Sequence, residues 1–315
     1  MKRAFISVLF FFISSLFVAA QPAFEAPPPS TVPVLDPVKR RAEYLARVKE
    51  VINWAADGGQ AKTDDPAKLD LAMIAAKIVL KEDLPGCSQR VIKLMSEPGT
   101  GPFWMFPTVC IAYLGRDQLT PEALASIRTA WRTSFNDPGA TENHWAMYYI
   151  SLYLMAELYP NEPADSWYSG KTSAENLAEA RSYLVHWMDL TTTVGQGEFN
   201  PTHYIGEYVI PLQFLANWAK DPEMKKRGAM MLDWLFAELA ANSLNGVLRG
   251  PNSRTDEGSA IERWQSMASY FSWLLFGNTP STAGYSGWDF ILRRSRLTTK
   301  FLKRFTASRP TGRAT

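Results

Sequence analysis

The chain has 315 residues, 46% hydrophobic and 20% charged, with 33 Lys and Arg against 31 Asp and Glu. This is a globular composition, long enough to bury a large core in one or two domains. Its near-balanced charge gives no electrostatic ground for nucleic-acid binding, and two cysteines with three histidines argue against a protein-built zinc site.

The first twenty residues read as a secretory signal. Lys2 and Arg3 form a basic start, Ala4 to Val18 an apolar run, and Val18-Ala19-Ala20 a small-residue cleavage site. The apolar run is short for a bilayer span, an uncleaved anchor being the alternative. Removing Lys2 and Arg3 brings basic and acidic residues level. The mature chain is therefore expected to be exported, to periplasm or medium, without stable membrane insertion. Residues 21–35 are Pro-rich and almost uncharged, as in an extended linker. Residues 36–290 form the expected helical domain, and 291–315 a basic, poorly ordered tail. After Asp289 there are eight Lys or Arg and no acid, a stretch that could also touch an anionic polymer or membrane.

Between linker and tail, apolar residues recur at three and four positions. The pattern predicts helices over 36–56, 66–81, 86–96, 104–114, 121–135, 141–159, 173–190, 204–219, 222–242 and 260–276. Thr120-Pro121-Glu122 and Asp221-Pro222-Glu223 supply a cap, an N1 proline and an early acid. Thr172 and Glu175 have capping-box spacing. No strand pair with a hairpin turn stands out, and there is no fixed-period repeat. The expected fold class is all-α: an (α/α) toroid, complete or incomplete, built of antiparallel helix pairs, with an irregular bundle as the alternative. Cys87 and Cys110 would form one disulfide in an oxidising compartment, or remain two buried thiols.

Three segments interrupt the helical pattern with polar residues: Thr141-Glu142-Asn143-His144-Trp145, Gly197-Glu198-Phe199-Asn200-Pro201-Thr202-His203-Tyr204, and Leu248-Arg249-Gly250-Pro251-Asn252-Ser253-Arg254. Taken singly, each has a structural explanation: a helix cap, a buried histidine, a helix start, a solvated turn. Glu142 could cap its helix or bind a sugar hydroxyl. Trp145 could be part core, part cleft wall. Trp104 and Trp167 could be sugar platforms, although aromatic residues of helical proteins more often fill the core. His186 reads as a core or surface histidine.

Together, ENHWAMYY and, some sixty residues later, EFNPTHY resemble the (α/α)-toroid polysaccharide lyases: alginate lyases, glucuronan lyases and the heparinase II/III-like group. The resemblance spans roughly residues 135–276. It implies an Asn–His pair at the head of an inner helix, Asn143 and His144, followed by a catalytic tyrosine, Tyr204. It further implies an anionic polysaccharide as partner and no metal or organic cofactor. Asn200, His203, Tyr208, Arg249, Arg254, Trp145 and Glu142 are the expected substrate-binding residues. The chain departs from the family pattern in lacking a serine before Pro201 and in placing His203 before Tyr204, and it ends early in its basic tail.

The chemistry accounts for these residue types. β-Elimination removes the C5 proton of a uronate and expels the C4 oxygen. Neutralising the adjacent carboxylate stabilises the enolate-like intermediate. Asn143 and His144 can donate hydrogen bonds, and Arg249 or Arg254 can add charge or a bidentate contact. Tyr204 would be the base and then the acid, with Tyr208, one turn on, and His203 as rivals. An inverting glycoside hydrolase would instead need two carboxylates from Glu142, Glu198, Glu207 and Asp256. A third alternative is a non-catalytic polysaccharide-binding module.

Overall fold

The computed structural model describes residues 36–57, 66–99, 101–255 and 257–277. The expected signal, linker and basic tail, and Asp256, lie outside the described residues. Those described are mostly helical: α1 (Pro37–Ala56), α2 (Pro66–Leu80), α3 (Leu84–Met95), α4 (Pro102–Leu114), α5 (Pro121–Thr133), α6 (Glu142–Leu158), α7 (Ser173–Val194), α8 (Ile205–Trp218), α9 (Pro222–Ala241), α10 (Glu257–Ile261) and α11 (Met267–Phe276).

Side-chain oxygens start the helices where the sequence places caps. Thr120 accepts from Ala123 N–H and Asp221 from Glu223 N–H, while Thr172 and Glu175 close a full capping box. The predicted helix over 260–276 is broken. A 3-10 turn at Arg263–Gln265 separates α10 from α11, and the hydroxyl of Ser266 restarts the helix by accepting from Ser269 N–H. A two-residue hairpin also appears, β1 (Ser243–Leu244) pairing antiparallel with β2 (Val247–Leu248). Its turn is Asn245-Gly246, both at positive φ, the Asn-Gly turn that suits the twist of a tight hairpin. The dipeptide was readable in the sequence; its strands are too short to register as a pattern.

Burial divides the helices into two kinds. In α7 the buried positions Asn176, Ala180, Leu184, Trp187, Met188 and Thr191 recur every three or four residues, one stripe facing inward. In α4 and α6 burial runs nearly all the way round, which requires helices on every side. Accordingly α2, α4, α6 and α8 lie side by side as an inner row, with α3 against α5 and α7 against α9 outside it. Trp131 of α5 is fully buried among Trp104, Trp167 and Tyr168, its indole N–H donating to Thr108 Oγ1 at 3.0 Å. Trp104 and Trp167 are therefore core residues. Cys87 and Cys110 are separate buried thiols, and burial raises the Cys110 thiol far above its ordinary value. No helix among the described residues is long and apolar enough to cross a membrane.

The first and last described helices meet. Arg47 of α1 donates to the carbonyls of Leu274 and Leu275 at 3.0 and 3.4 Å, and Arg40 to that of Phe276 at 3.3 Å. These carbonyls end α11 and have no partner within it, so the arginines satisfy them and sit at the negative end of the helix dipole. Gly277 follows at φ 66°, and a Cβ there would meet Arg47 Nη1 at 2.8 Å. Arg47→Met is expected to lower unfolding free energy by about 1–3 kcal/mol in urea titrations. Gly277→Ala should also destabilise, through both its backbone conformation and that contact.

Candidate functional site

All three polar segments meet at one carboxylate. Glu198, buried in the 197–204 loop, accepts through Oε2 from the Asn143 N–H at the head of α6 (3.3 Å) and from the Tyr208 hydroxyl on α8 (2.5 Å). Its Oε1 pairs with Arg254 Nη1 at 3.3 Å. The loop is fixed from the other side by Glu142. That carboxylate accepts from the Glu198 N–H through Oε2 and from the Trp187 indole N–H through Oε1, both at 2.8 Å. A Cβ on Gly197 would stand 2.9 Å from Glu142 Oε2, so glycine there permits the close approach.

The 248–254 segment is joined to the same loop through backbone. Ser253 N–H donates to the Phe199 carbonyl at 2.8 Å, and Asn252 Nδ2 to that of Asn200 at 3.1 Å. Arg263 in turn donates to Asn252 Oδ1 at 3.1 Å. Asn200 and Arg254 both sit at positive φ, 45° and 51°. Asparagine tolerates this region, whereas for arginine it costs about 1 kcal/mol or more. The ties from Ser253 and Glu198 hold Arg254 there. The result is a guanidinium 4.3 Å above the Tyr204 ring. A hydrogen bond to Tyr204, with the nearby Glu198 carboxylate, raises Arg254 further above its ordinary value.

The predicted residues divide accordingly. Asn143, Tyr204, Arg254 and Glu142 are brought together. Asn143 is fully buried; Thr141 Oγ1 donates to its Oδ1 at 2.6 Å, while its Nδ2 has no hydrogen-bond partner in the structure. Asn200 Nδ2 and Thr202 Oγ1 are likewise buried without partners. Such groups are uncommon in folded proteins and concentrate where a ligand or ordered water is bound.

Other expectations change. Tyr208 is fully buried and stacks near Trp187, 6.1 Å between centroids. Its hydroxyl is taken up by Glu198, so it supports the site from behind rather than lining it. His144 is half-buried, on the side of α6 that meets α4, its ring edge-on to Phe103 with centroids 5.1 Å apart and Gly139 against its Nδ1. It is thus turned away from its expected place beside Asn143. His203 is exposed, its ring 6.1 Å from that of Tyr204. Arg249 is exposed, and its N–H closes the hairpin on the Asn242 carbonyl. Trp145 is 37% exposed, with its indole N–H on the Gly139 carbonyl at 2.7 Å and its face toward Tyr183. His186 is a surface residue.

Sequence reasoning missed the part played by Glu198, which it considered only as a hydrolase carboxylate, and by Trp187. The available signal was a Gly-Glu pair inside a loop whose neighbours are otherwise apolar or amide-bearing. Among the described residues no group of three or more His, Cys, Asp or Glu is placed to hold a metal ion. Comparison with protein-family models, curated proteins and solved structures finds no match.

Tyr208→Phe leaves Glu198 short of a donor and is expected to cost about 1–3 kcal/mol in denaturant unfolding. Burial raises the phenols of Tyr208 and Tyr153 far above their ordinary value, with nearby carboxylates adding to the rise. In the unfolded chain both ionise near about pH 10. Their neutrality therefore supports the fold below that pH, and the support declines above it by about 1.4 kcal/mol per pH unit per phenol. Alkaline titration should show these tyrosinates appearing together with loss of helical circular dichroism, not before it.

Proposed function

We propose that this protein is an exported polysaccharide lyase that cleaves a uronic-acid polymer, alginate- or glucuronan-like, by β-elimination on an (α/α)-toroid scaffold. The observation that carries the proposal is the meeting of the three polar segments, which sets the Arg254 guanidinium against the Tyr204 ring and ties the head of α6 to the same Glu198 carboxylate. An inner row of α2, α4, α6 and α8 flanked by outer helices, with α1 meeting α11, supports the toroid.

In this reading the uronate carboxylate is neutralised by Arg254, which stabilises the enolate-like intermediate, while the fully buried Asn143 ties Glu198 to the head of α6 through its backbone N–H. Tyr204, as phenolate, takes the C5 proton, and Arg254 offsets its negative charge. The electron pair of the C5–H bond forms the C4–C5 double bond, the C4–O bond breaks, and the proton passes from Tyr204 to the leaving oxygen. Half-buried Tyr204 can meet a polymer, whereas Tyr208 cannot. Exposed His203, Arg249 and Trp145 serve as outer contacts for the chain, with Asn200 beneath them, and His144, turned toward Phe103, takes no part. For the hydrolase alternative, Glu142 and Glu198 are poor candidates among its four carboxylates, because they already commit their oxygens to Trp187, Tyr208, Arg254 and backbone N–H groups. A general acid and base need an oxygen facing the substrate.

Incubation with alginate, glucuronan and glycosaminoglycans should generate the ultraviolet absorbance of an unsaturated uronate end on at least one of them. Reducing ends without that absorbance would identify a hydrolase, and binding without turnover a non-catalytic module. Tyr204→Phe should lower kcat by about 10²–10⁴-fold and leave the affinity for polymer nearly unchanged. Retention of full activity by that variant would eliminate Tyr204 as the base.

A further inference from the structure

We infer that Glu198 is a positioning residue, whose carboxylate holds Arg254 over Tyr204 and ties both to the head of α6. The inference rests on the lyase reading for its catalytic consequence, but its structural content is independent of it. Arg254 keeps an unfavourable backbone conformation at φ 51° on a segment whose side chain is 35% exposed. For a flexible, charged side chain so exposed, the ring and hydrogen bond of Tyr204 offset only part of the entropy lost in keeping one rotamer, and an ion pair adds the rest. Among the described residues, the anion that pairs with its guanidinium is Glu198, through Oε1 at 3.3 Å.

That carboxylate is itself immobile. Two donors occupy Oε2, the Asn143 N–H at 3.3 Å and the Tyr208 hydroxyl at 2.5 Å, and its own backbone N–H is held by Glu142 at 2.8 Å. One rigid anion therefore sets the separation between the Asn143 end of α6 and the guanidinium on the 248–254 segment. In the proposed reaction Arg254 must grip the substrate carboxylate while Tyr204 reaches C5, so the guanidinium must keep its place relative to the head of α6 and the ring. A shift of about 1 Å between such groups costs on the order of 10²-fold in rate. Glu198 touches no substrate in this account; it acts through Arg254.

The test uses the full chain and five variants: Glu198→Gln, Arg254→Met, the double substitution of these two, Glu198→Asp and, for assignment, Tyr204→Leu. Glu198→Gln retains an acceptor for Tyr208 and Asn143 N–H and removes the charge that Arg254 pairs with. The first readout needs no substrate. In the native chain the Arg254 side-chain protons should carry the upfield NMR shift imposed by a ring beneath them, assigned by its loss in Tyr204→Leu. Glu198→Gln should abolish this shift while circular dichroism remains that of the folded protein, and Glu198→Asp should restore part of it. The second readout is kinetic. Glu198→Gln should lower kcat about 10–100-fold with a smaller change in KM, and should cost nothing further in the Arg254→Met background, since one device is then already lost. An Arg254 shift unchanged in Glu198→Gln, or losses in kcat that simply add, would overturn the inference. If the native chain eliminates no uronate at all, the lyase reading fails, and the NMR shift still decides whether Glu198 positions Arg254. Should Glu198→Gln not fold, the same shift in Glu198→Asp decides it: a native value overturns the inference, a reduced one supports it.

Discussion

A carboxylate taken out of water must be compensated or it will be protonated or expelled. Glu198 is buried, and its compensation comes from three places far apart in the chain: an N–H at the head of α6, a phenol on α8 and a guanidinium beyond the hairpin. No single segment could provide all three. The requirement to solvate one anion with protein groups therefore ties a helix end, a loop and an exposed arginine into one unit. Glu142 repeats the device one residue before Asn143 by accepting from the loop and from Trp187. The two acids work as couplings between elements, which is why neither is well placed to serve as a general acid or base.

The scaffold makes this coupling possible by keeping the participating helices at fixed separations. α6 is buried on nearly every side, packed against α4, α7 and α8, so its N-terminal residues cannot shift without disturbing a close-packed interior. α8 presents Tyr208 to Glu198 from within the core and carries Tyr204 at its N-terminal edge. Tyr204 and Tyr208 are one turn apart on similar chemistry, yet one sits behind the site and the other at its surface. That difference follows from depth along a single helix: the second turn of α8 is enclosed by α6 and α9, while its start emerges beside the loop.

Much of the helical architecture was legible because it rests on local rules. Caps at Thr120, Thr172 and Asp221 act within four residues, and the three-and-four periodicity reports which face is buried whatever it packs against. The Asn245-Gly246 turn was equally local, but a hairpin with two-residue strands has no alternation to read. The break between α10 and α11 was hidden because Arg263 and Gln265 are good helix formers, while the Ser266 cap that restarts the helix lies inside an otherwise continuous apolar periodicity.

By itself the sequence determined that the domain is helical, where most helices begin, and which three polar stretches would be out of place in a core. These follow from short-range hydrogen bonding and from the cost of burying polar groups. Only the tertiary structure decided that the three stretches share one anion, that Arg254 rather than Arg249 pairs with it, that His144 faces Phe103, and that Tyr208 is enclosed. Each of those outcomes depends on side-chain direction and on which surfaces of distant helices come within hydrogen-bonding reach. A linear pattern does not encode those distances, because they arise only once the inner helices have packed.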